Sequence, residues 1–254
     1  MPTVRRQQAF ELDPESYDAL VDWPRRLARE QGFYRRLLDA VAARRVLDVA
    51  CGTGRHALLL HSWGLEVEGA DILPSMIDFC RTRHGQMPTL RWVVRSFTEP
   101  AAAGQFDAVL CVGNSLATAS DLATARQALA AMLTALRPGG VAIVHVLNLA
   151  VLRPGPVNWQ KCRPVRRGGQ DHVLLKGVHR AGEQGYVEFV DITLTGGEPV
   201  AEFHAAALLP LSAEWLRDAA LAAGGRNVQL YGGYGNEPCS ATESTDLILV
   251  CERG

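Results

Sequence analysis

Lysine is almost missing from this chain of 254 residues, in which the 26 basic residues comprise 24 arginines and two lysines, Lys161 and Lys176. With 27 acidic residues, the formal net charge is only -1. A protein that holds a nucleic-acid backbone usually carries a broad excess of positive charge. The charge balance therefore argues against a nucleic-acid partner and favours a small molecule.

Cysteine pairs and long apolar runs are also missing. The six cysteines are too far apart for a CxxC redox motif or a zinc knuckle, so we expect no metal site. No apolar stretch approaches the roughly 20 residues of a membrane helix, and the N-terminal residues lack a signal-peptide core. The sequence predicts a cytoplasmic protein without a membrane segment, either a monomer or a homo-oligomer.

Residues 45–148 alternate between short apolar runs and helical patterns. Such alternation requires crossover connections, which predicts an α/β domain with a parallel sheet covered on both faces. The predicted strands are Arg45–Ala50, Glu66–Ala70, Thr89–Val94, Phe106–Val112 and Gly140–Leu147, and the predicted helices are Arg55–Trp63, Pro74–Arg83 and Ala119–Leu136.

Residues 14–43, which precede this core, carry apolar side chains at helical spacing. Interruptions at Pro24 and Gly32 predict two or three short helices there, which we expect to form a lid.

Residues 150–209, which follow the core, alternate like strands, with turn signals at Gly182, Gly196 and Gly197. They predict an antiparallel meander, inserted as a cap over the substrate. Residues 212–252 then return to one helix and two strands, so residues 1–254 are expected to form a single domain.

Residues 46–56, VLDVACGTGRH, place a strand directly before a glycine turn and a helix. Gly52 and Gly54 allow positive φ and let a ligand approach the amides at the start of the helix. Asp71 ends the next strand, where a carboxylate accepts hydrogen bonds from both hydroxyls of a ribose. The pattern predicts either a dinucleotide or an adenosyl ligand.

Asp48 and Ala50 separate these two ligands. A carboxylate inside the turn repels a pyrophosphate, whereas it pairs with the cationic amino group of a methionine moiety. Ala50 also stands where the dinucleotide fingerprint GxGxxG begins, so that fingerprint is incomplete. S-adenosylmethionine is therefore favoured, and an NAD-dependent oxidoreductase stays as the alternative.

The segment Asp48–Gly54 resembles motif I of the class I S-adenosylmethionine-dependent methyltransferases in its form DxxCGTG. The resemblance covers about residues 17–148, and within the class it points to the glycine and sarcosine N-methyltransferase group. Further segments that carry the class resemblance are ADILPSMI at 70–77, FDAVLC at 106–111 and LRPGG at 136–140; those typical of the group are YDxxxxWxxR at 17–26, CVGNSL at 111–116 and HVLN at 145–148.

This resemblance implies a Rossmann-like, doubly wound sheet of seven strands in the order 3-2-1-4-5-7-6, with the seventh strand antiparallel. It also implies S-adenosylmethionine as cofactor and methyl transfer to a small molecule, with an amine or amino-acid nitrogen favoured over oxygen. The donor is already activated, so alignment matters more than a strong base, and no catalytic residue is predicted. A regulatory protein that binds the cofactor without turnover is a further alternative.

The candidate site residues follow from the motifs and the resemblance. For Trp23 and Arg26, the competing interpretation is an ordinary position on a helix face. Ser96 and Phe97 stand where relatives carry an aspartate that binds the adenine amino group. The candidates at the cofactor are Trp23, Arg26, Asp48, Ala50, Gly52, Gly54, Asp71, Ile72, Met76, Ser96, Phe97, Val112 and Asn114. The candidates at the acceptor are Asn114, Asn148 and Tyr231, with Trp159, Arg163, Tyr186, Glu188, His204 and Tyr234 as further residues that could line the cap.

Overall fold

The computed structural model describes residues 3–6, 13–194 and 197–254. The predicted turn at Gly196 lies outside the described residues. The helices are α1 (Pro14–Leu20), α2 (Trp23–Ala40), α3 (Arg55–Ser62), α4 (Pro74–His84), α5 (Leu122–Ala135) and α6 (Ala213–Ala222), with a 3₁₀ turn at Ser115–Thr118. The strands are β1 (Thr3–Arg6), β2 (Arg45–Val49), β3 (Glu66–Asp71), β4 (Leu90–Val94), β5 (Phe106–Cys111), β6 (Leu136–Leu147), β7 (Asn158–Arg167), β8 (Gln170–Ala181), β9 (Gln184–Thr193), β10 (Val200–Leu208), β11 (Gly225–Tyr231) and β12 (Asp246–Arg253).

Seven strands form the central sheet in the order β4-β3-β2-β5-β6-β12-β11. Strands β2 to β6 pair in parallel, whereas β12 is antiparallel to both β6 and β11. Counted along the chain within this sheet, the order is 3-2-1-4-5-7-6. The predicted fold class and strand order are therefore confirmed.

Side-chain alternation along β2 separates two apolar layers. Val46 packs in the cluster formed with α2, α3 and α4, whereas Leu47 and Val49 pack in the cluster formed with α5, α6 and the second sheet. A strand that is buried on both faces reads as a continuous apolar run, which is why the sequence predicts these strands well.

Two N-terminal helices are found where two or three were predicted. The helix α2 continues through Gly32, because the side chains of Phe33, Tyr34, Leu37 and Leu38 are buried on one of its faces. Burying each large apolar side chain contributes about 1.5–3 kcal/mol, which outweighs the about 1 kcal/mol cost of a glycine in a helix.

Two predicted boundaries are wrong by a few residues. The helix predicted from Ala119 begins at Leu122, because Asp121 caps it by accepting a hydrogen bond from the Thr124 amide at 2.7 Å. The strand β6 begins at Leu136 rather than at Gly140, because Leu136 already pairs with Phe106 of β5.

A second sheet has the strand order β1-β10-β9-β8-β7. Its strands β7 to β10 form an antiparallel meander within the range predicted for one. The strand β7 was not predicted, because its proline and basic residues resemble those of a loop. At the edge of a sheet such residues are tolerated, because one side of the strand needs no partner. That α1 and α2 act as a lid and this meander as a cap stays a prediction.

Candidate functional site

A cavity of about 520 Å³ opens at the carboxyl ends of the parallel strands. One side is lined by residues that end or follow β2 and β3, among them Gly52 and Asp71, and the other by the second sheet, including Lys176 and Phe189. Tyr17 of α1 also borders it. The strand order reverses between β2 and β5, and open α/β sheets bind their ligands at such a point.

The glycine turn after β2 needs a left-handed backbone at three positions, with φ of 54° at Ala50, 54° at Gly52 and 76° at Gly54. A Cβ atom on Gly52 would have its nearest neighbour at 3.9 Å, an atom of the Tyr17 ring, so this part of the turn is open to a ligand. A Cβ atom on Gly54 would lie 2.6 Å from the Trp92 ring. Gly54 therefore serves close packing, and it does not line the cavity.

Asp71 ties the turn to the end of β3. Its Oδ2 accepts a hydrogen bond from the Gly52 amide at 2.9 Å, and its Oδ1 accepts one from the Leu73 amide at 3.0 Å. Burial raises the pKa of the Asp71 carboxyl, although these amides act in the opposite direction. A carboxylate offers about four lone-pair sites, so acceptor capacity is left for two hydroxyl groups of a ligand.

Asp48 lies beneath the same turn and is only 1% exposed. Its Oδ2 has no hydrogen-bond partner in the part of the chain that the structure describes. Burial raises the pKa of this carboxyl to about 7, with the Ala57 amide acting in the opposite direction. A buried acceptor without a partner is costly, and a cationic group next to the turn would satisfy it.

Replacing Asp48 with asparagine should stabilise the ligand-free protein at pH 8. The folded-state pKa lies above the unfolded one, so the wild type loses stability as the pH rises from 4 to 7, by up to about 4 kcal/mol. Asparagine does not titrate. Urea unfolding at pH 4 and pH 8 gives the free energy of unfolding of the wild type and of Asp48→Asn. If the two proteins differ by the same amount at both pH values, the Asp48 carboxylate is not unpartnered.

The turn after β5 forms the adjoining wall of the cavity. The Gly113 amide donates to Nδ1 of His145 at 3.2 Å, so the proton of His145 is on Nε2, which donates to Oδ1 of Asp246 at 3.0 Å. Asn114 has a φ of 78°, and its side-chain Oδ1 accepts from the Leu147 amide. Its amide oxygen therefore anchors the turn to β6, while Asn114 itself borders the cavity.

Five polar side chains form a hydrogen-bonded cluster inside the protein, here called the Glu30 cluster. Its members are Arg26, Glu30, Tyr34, His56 and Tyr234. Glu30 accepts hydrogen bonds from Nε of Arg26 at 2.9 Å, from the Tyr34 hydroxyl at 3.0 Å and from His56 at 2.7 Å. The phenolic oxygens of Tyr34 and Tyr234 are 3.2 Å apart. Burial alone would raise the pKa of Glu30, but His56 and Arg26 hold it at about 2.

Contacts with the Glu30 cluster determine where the predicted cofactor residues Arg26 and Trp23 lie relative to the cavity. One edge of the Arg26 guanidinium is bound to Glu30, and its Nη2 would lie 3.3 Å from a Cβ atom on Gly113, which borders the cavity. The Trp23 ring packs under this guanidinium at 5.2 Å and does not line the cavity.

The structure brings seven of the residues predicted at the cofactor to the cavity wall. The residues that line it are Ala50, Gly52, Asp71, Ile72, Met76, Phe97 and Asn114. The other predicted cofactor residues, which do not line it, are Trp23, Arg26, Asp48, Gly54, Ser96 and Val112. Ser96 shares a hydrogen bond with the Thr98 hydroxyl at 3.0 Å and accepts from the Thr98 amide, so its side chain forms a local turn.

Two of the residues predicted at the acceptor lie away from the cavity. Asn148 donates to the carbonyl oxygens of Ala241 and Ser244 at 3.0 and 2.8 Å, so its side chain holds a loop in place. The Tyr231 ring packs edge to face on Phe33 at 5.2 Å, on the side of the sheet covered by α2. Asn148 follows β6 and Tyr231 ends β11, but the Asn148 side chain is buried in the protein and the Tyr231 ring packs against α2.

The further candidates for the cap do not line the cavity either. Tyr186 stacks on His179 at 5.0 Å and Glu188 accepts from His179 at 3.0 Å, which places all three on the outer face of the second sheet. Trp159 is 48% exposed, Arg163 lies 3.9 Å from Asp22, Tyr234 belongs to the Glu30 cluster, and His204 is buried.

Sequence reasoning missed Lys176 and Glu30 and gave Tyr17 only as part of a motif. The spacing of Arg26 and Glu30 is that of an i,i+4 helix pair, which is a weak signal. No signal in the sequence singles out Lys176, because the face of a strand is known only when its pairing is known.

The comparisons with known proteins bear on the class of this domain. Residues 46–140 match the sequence profile of a methyltransferase domain family. A glycine/sarcosine N-methyltransferase from Parasynechococcus marenigrum (strain WH8102) is 35% identical over 154 residues, which are 59% of this chain and 54% of the relative. The chain thus spans about half the length of the curated relatives it matches.

Two solved structures share the fold over nearly the whole chain. The sugar N-methyltransferase KedS8 from Streptoalloteichus sp. ATCC 53650 has a TM-score of 0.78 at 23% identity, covering 100% of this chain and 97% of that chain. CalS10, an amino pentose methyltransferase from Micromonospora echinaspora, has a TM-score of 0.73 at 23% identity, covering 98% of this chain and 100% of that chain.

These findings confirm the predicted resemblance to the S-adenosylmethionine-dependent methyltransferases. Residues 46–140 match a methyltransferase domain, and the similar proteins include glycine and sarcosine N-methyltransferases. No helix in the described ranges has both the length and the apolar character needed to cross a membrane. Within the same ranges, no three side chains that could bind a metal ion cluster together.

Proposed function

We propose that this protein transfers a methyl group from S-adenosylmethionine to a small-molecule acceptor, at an amine or amino-acid nitrogen. The observation that carries this proposal is the position of Asp71. Its carboxylate is hydrogen-bonded to the Gly52 turn and borders a cavity that extends from this turn to the second sheet. The named N-methyltransferases among the relatives support nitrogen as the acceptor atom.

The residues around the cavity fit an adenosyl cofactor. Asp71 would accept hydrogen bonds from the ribose hydroxyls, and the open turn at Gly52 leaves room for a ligand at the helix N-terminus. Ile72 is 62% exposed although it is large and apolar, and together with Met76 and Phe97 it offers an apolar surface to the adenine ring.

Asp48 is a further residue whose surroundings fit the adenosyl cofactor. Its unpartnered Oδ2 lies beneath the turn and suits the cationic amino group of the methionine moiety, directly or through water. The bound cofactor supplies a methyl group on a positively charged sulfur, which needs no further activation.

This chain's own residues would align the acceptor and keep water out. The side of the cavity formed by the second sheet, opposite the ends of β2 and β3, is here called the acceptor side. Tyr17 and Phe189 lie there with their ring centroids 6.4 Å apart. Excluding water and fixing the approach of a nucleophile account for much of the rate in such displacements. The acceptor nitrogen must arrive without its proton, and the buried surroundings favour this neutral form.

Calorimetric titration with S-adenosylmethionine, S-adenosylhomocysteine and NAD in parallel tests the proposal. We expect the two adenosyl ligands to bind and NAD not to bind. A second step uses donor labelled in the methyl group with a panel of small amines and amino acids. NAD binding alone would indicate an oxidoreductase, and donor binding without transfer to any member of the panel would favour a regulatory role.

A further inference from the structure

The acceptor side of the cavity contains a single lysine. Lys176 is one of only two lysines in the sequence, and it borders the cavity from β8. Its Nζ lies 5.6 Å from the centroid of the Phe189 ring, on the neighbouring strand. The other lysine, Lys161, is its register partner on the edge strand β7 but does not line the cavity.

Lys176 has no negative partner in the described part of the chain. Burial lowers the pKa of Lys176 to about 8, and the two nearby cations Arg26 and Lys161 act in the same direction. Arg26, by contrast, is paired with Glu30 at 2.9 Å. A half-buried cation without a counter-charge is costly, and an anion that enters the cavity would remove this cost.

The surroundings of Lys176 are otherwise apolar. Val187, Phe189, Ala206 and Leu208 line the same part of the cavity, and the small side chain of Ala206 leaves space beside them. Apolar walls favour a ligand with an apolar body, because binding removes its apolar surface from water.

Two of the polar side chains nearby are already occupied. The side-chain amide of Gln184 donates to the Leu208 carbonyl, and the Ser115 hydroxyl donates to the Val112 carbonyl at 3.1 Å. Lys176 is the cation on this side of the cavity that has no counter-charge in the described part of the chain, so it can orient a negatively charged ligand.

We infer that the methyl acceptor is a carboxylate with an apolar body, and that Lys176 binds the carboxylate group. This inference rests on the proposed function, which makes this side of the cavity the acceptor site. A single negative charge is specified, because a dianion would leave one charge uncompensated among apolar side chains. Lys176 is in this account a specificity-determining residue, and the reacting nitrogen lies elsewhere on the acceptor.

The test compares two probes of the same shape, phenylacetate and 2-phenylethanol, which differ in charge. Each is titrated into protein saturated with S-adenosylhomocysteine, and binding is followed by ligand-observed NMR. We expect phenylacetate to bind at least about tenfold more tightly than the alcohol, since a hydrogen bond to a charged group contributes about 1.5–3 kcal/mol.

Three variants assign this preference to Lys176. Lys176→Met keeps the length and the contact with Phe189 and should abolish the preference without changing the affinity for S-adenosylhomocysteine. Lys176→Arg should retain it, because it keeps the charge. Lys161→Met is the matched control on the neighbouring strand: it removes a cation that acts on Lys176 but does not line the cavity, so the preference for phenylacetate should be retained.

The outcomes separate this inference from the proposed function. Failure of S-adenosylhomocysteine to bind would contradict the proposed function, and the same probes titrated into the free protein would still decide the charge preference. Equal binding of the two probes, or an unchanged preference in Lys176→Met, would overturn the role of Lys176. Loss of the preference in Lys176→Arg as well would overturn it too, because the positive charge would then not be the cause.

Discussion

Replacing Asp71 with alanine should weaken the binding of S-adenosylmethionine and S-adenosylhomocysteine about 100-fold or more. The carboxylate is the group expected to bind both ribose hydroxyls, and each hydrogen bond to a charged acceptor contributes about 1.5–3 kcal/mol. The substitution also removes the acceptor of the Gly52 amide, which holds the turn in place. Calorimetric titration measures the change in affinity.

Asp78→Ala is the matched control for this prediction. Asp78 lies on α4 with its side chain 69% exposed, paired only weakly with Arg81 at 3.3 Å. It should bind the cofactor like the wild type. Asp71→Asn keeps the shape of the side chain and should bind more weakly than the wild type but better than Asp71→Ala. An affinity of Asp71→Ala within threefold of the wild type would refute the proposed position of the ribose.

Replacing Glu30 with glutamine should lower the free energy of unfolding by about 3–5 kcal/mol. Glu30 is 1% exposed and compensates the charge of Arg26, so the substitution leaves a cation inside the protein without a counter-charge. Removing one partner of a buried ion pair usually costs this amount. Urea unfolding at pH 7 gives the value.

Two further variants test the cause of this loss. Asp39→Asn, on the same helix but 66% exposed and paired with Arg35 at 3.4 Å, should change the stability by less than about 0.5 kcal/mol. The double variant Arg26→Met with Glu30→Met should be more stable than Glu30→Met alone, because no charge is then left unpaired. If the double variant loses more than Glu30→Met, packing rather than charge explains the effect.

The Glu30 cluster should also set the acid sensitivity of the fold. The pKa of Glu30 is about 2 in the folded protein, against an ordinary value of 4.5. A carboxyl whose pKa is lowered by folding stabilises the protein above pH 4.5, and this contribution is lost as the pH falls to 2. We therefore expect the stability difference between the wild type and Glu30→Gln to shrink by about 3 kcal/mol between pH 5 and pH 2.

The cofactor side of the site was largely predictable, because its chemistry is encoded locally. The segment from Asp48 to Gly54 contains its own strand end, turn and helix start, so the backbone conformation follows from the glycines in sequence. Asp71 ends a neighbouring strand with the same direction, and parallel strands bring their carboxyl ends to one edge. Ala50, Gly52 and Asp71 line the cavity for this reason.

The acceptor side was poorly predictable, because it depends on strand pairing. In a strand, a shift of one residue moves every side chain to the other face. Tyr186 and Glu188 were candidates by residue type, yet the register of β9 turns them outward and turns Val187 and Phe189 toward the cavity. Asn148 was a candidate by its place after a strand, but its side chain binds the backbone of a distant loop.

By itself the sequence determined the α/β class, the glycine turn and the carboxylates beside it, since these depend on short-range patterns of glycine, acid and apolar residues. Only the tertiary structure decided that Lys176 borders the cavity without a negative partner among the described residues and that Glu30 neutralises Arg26 behind it. Both depend on contacts between elements far apart in the chain. Lys176 and Glu30 are important because of their burial and the charges around them, rather than because of their residue type.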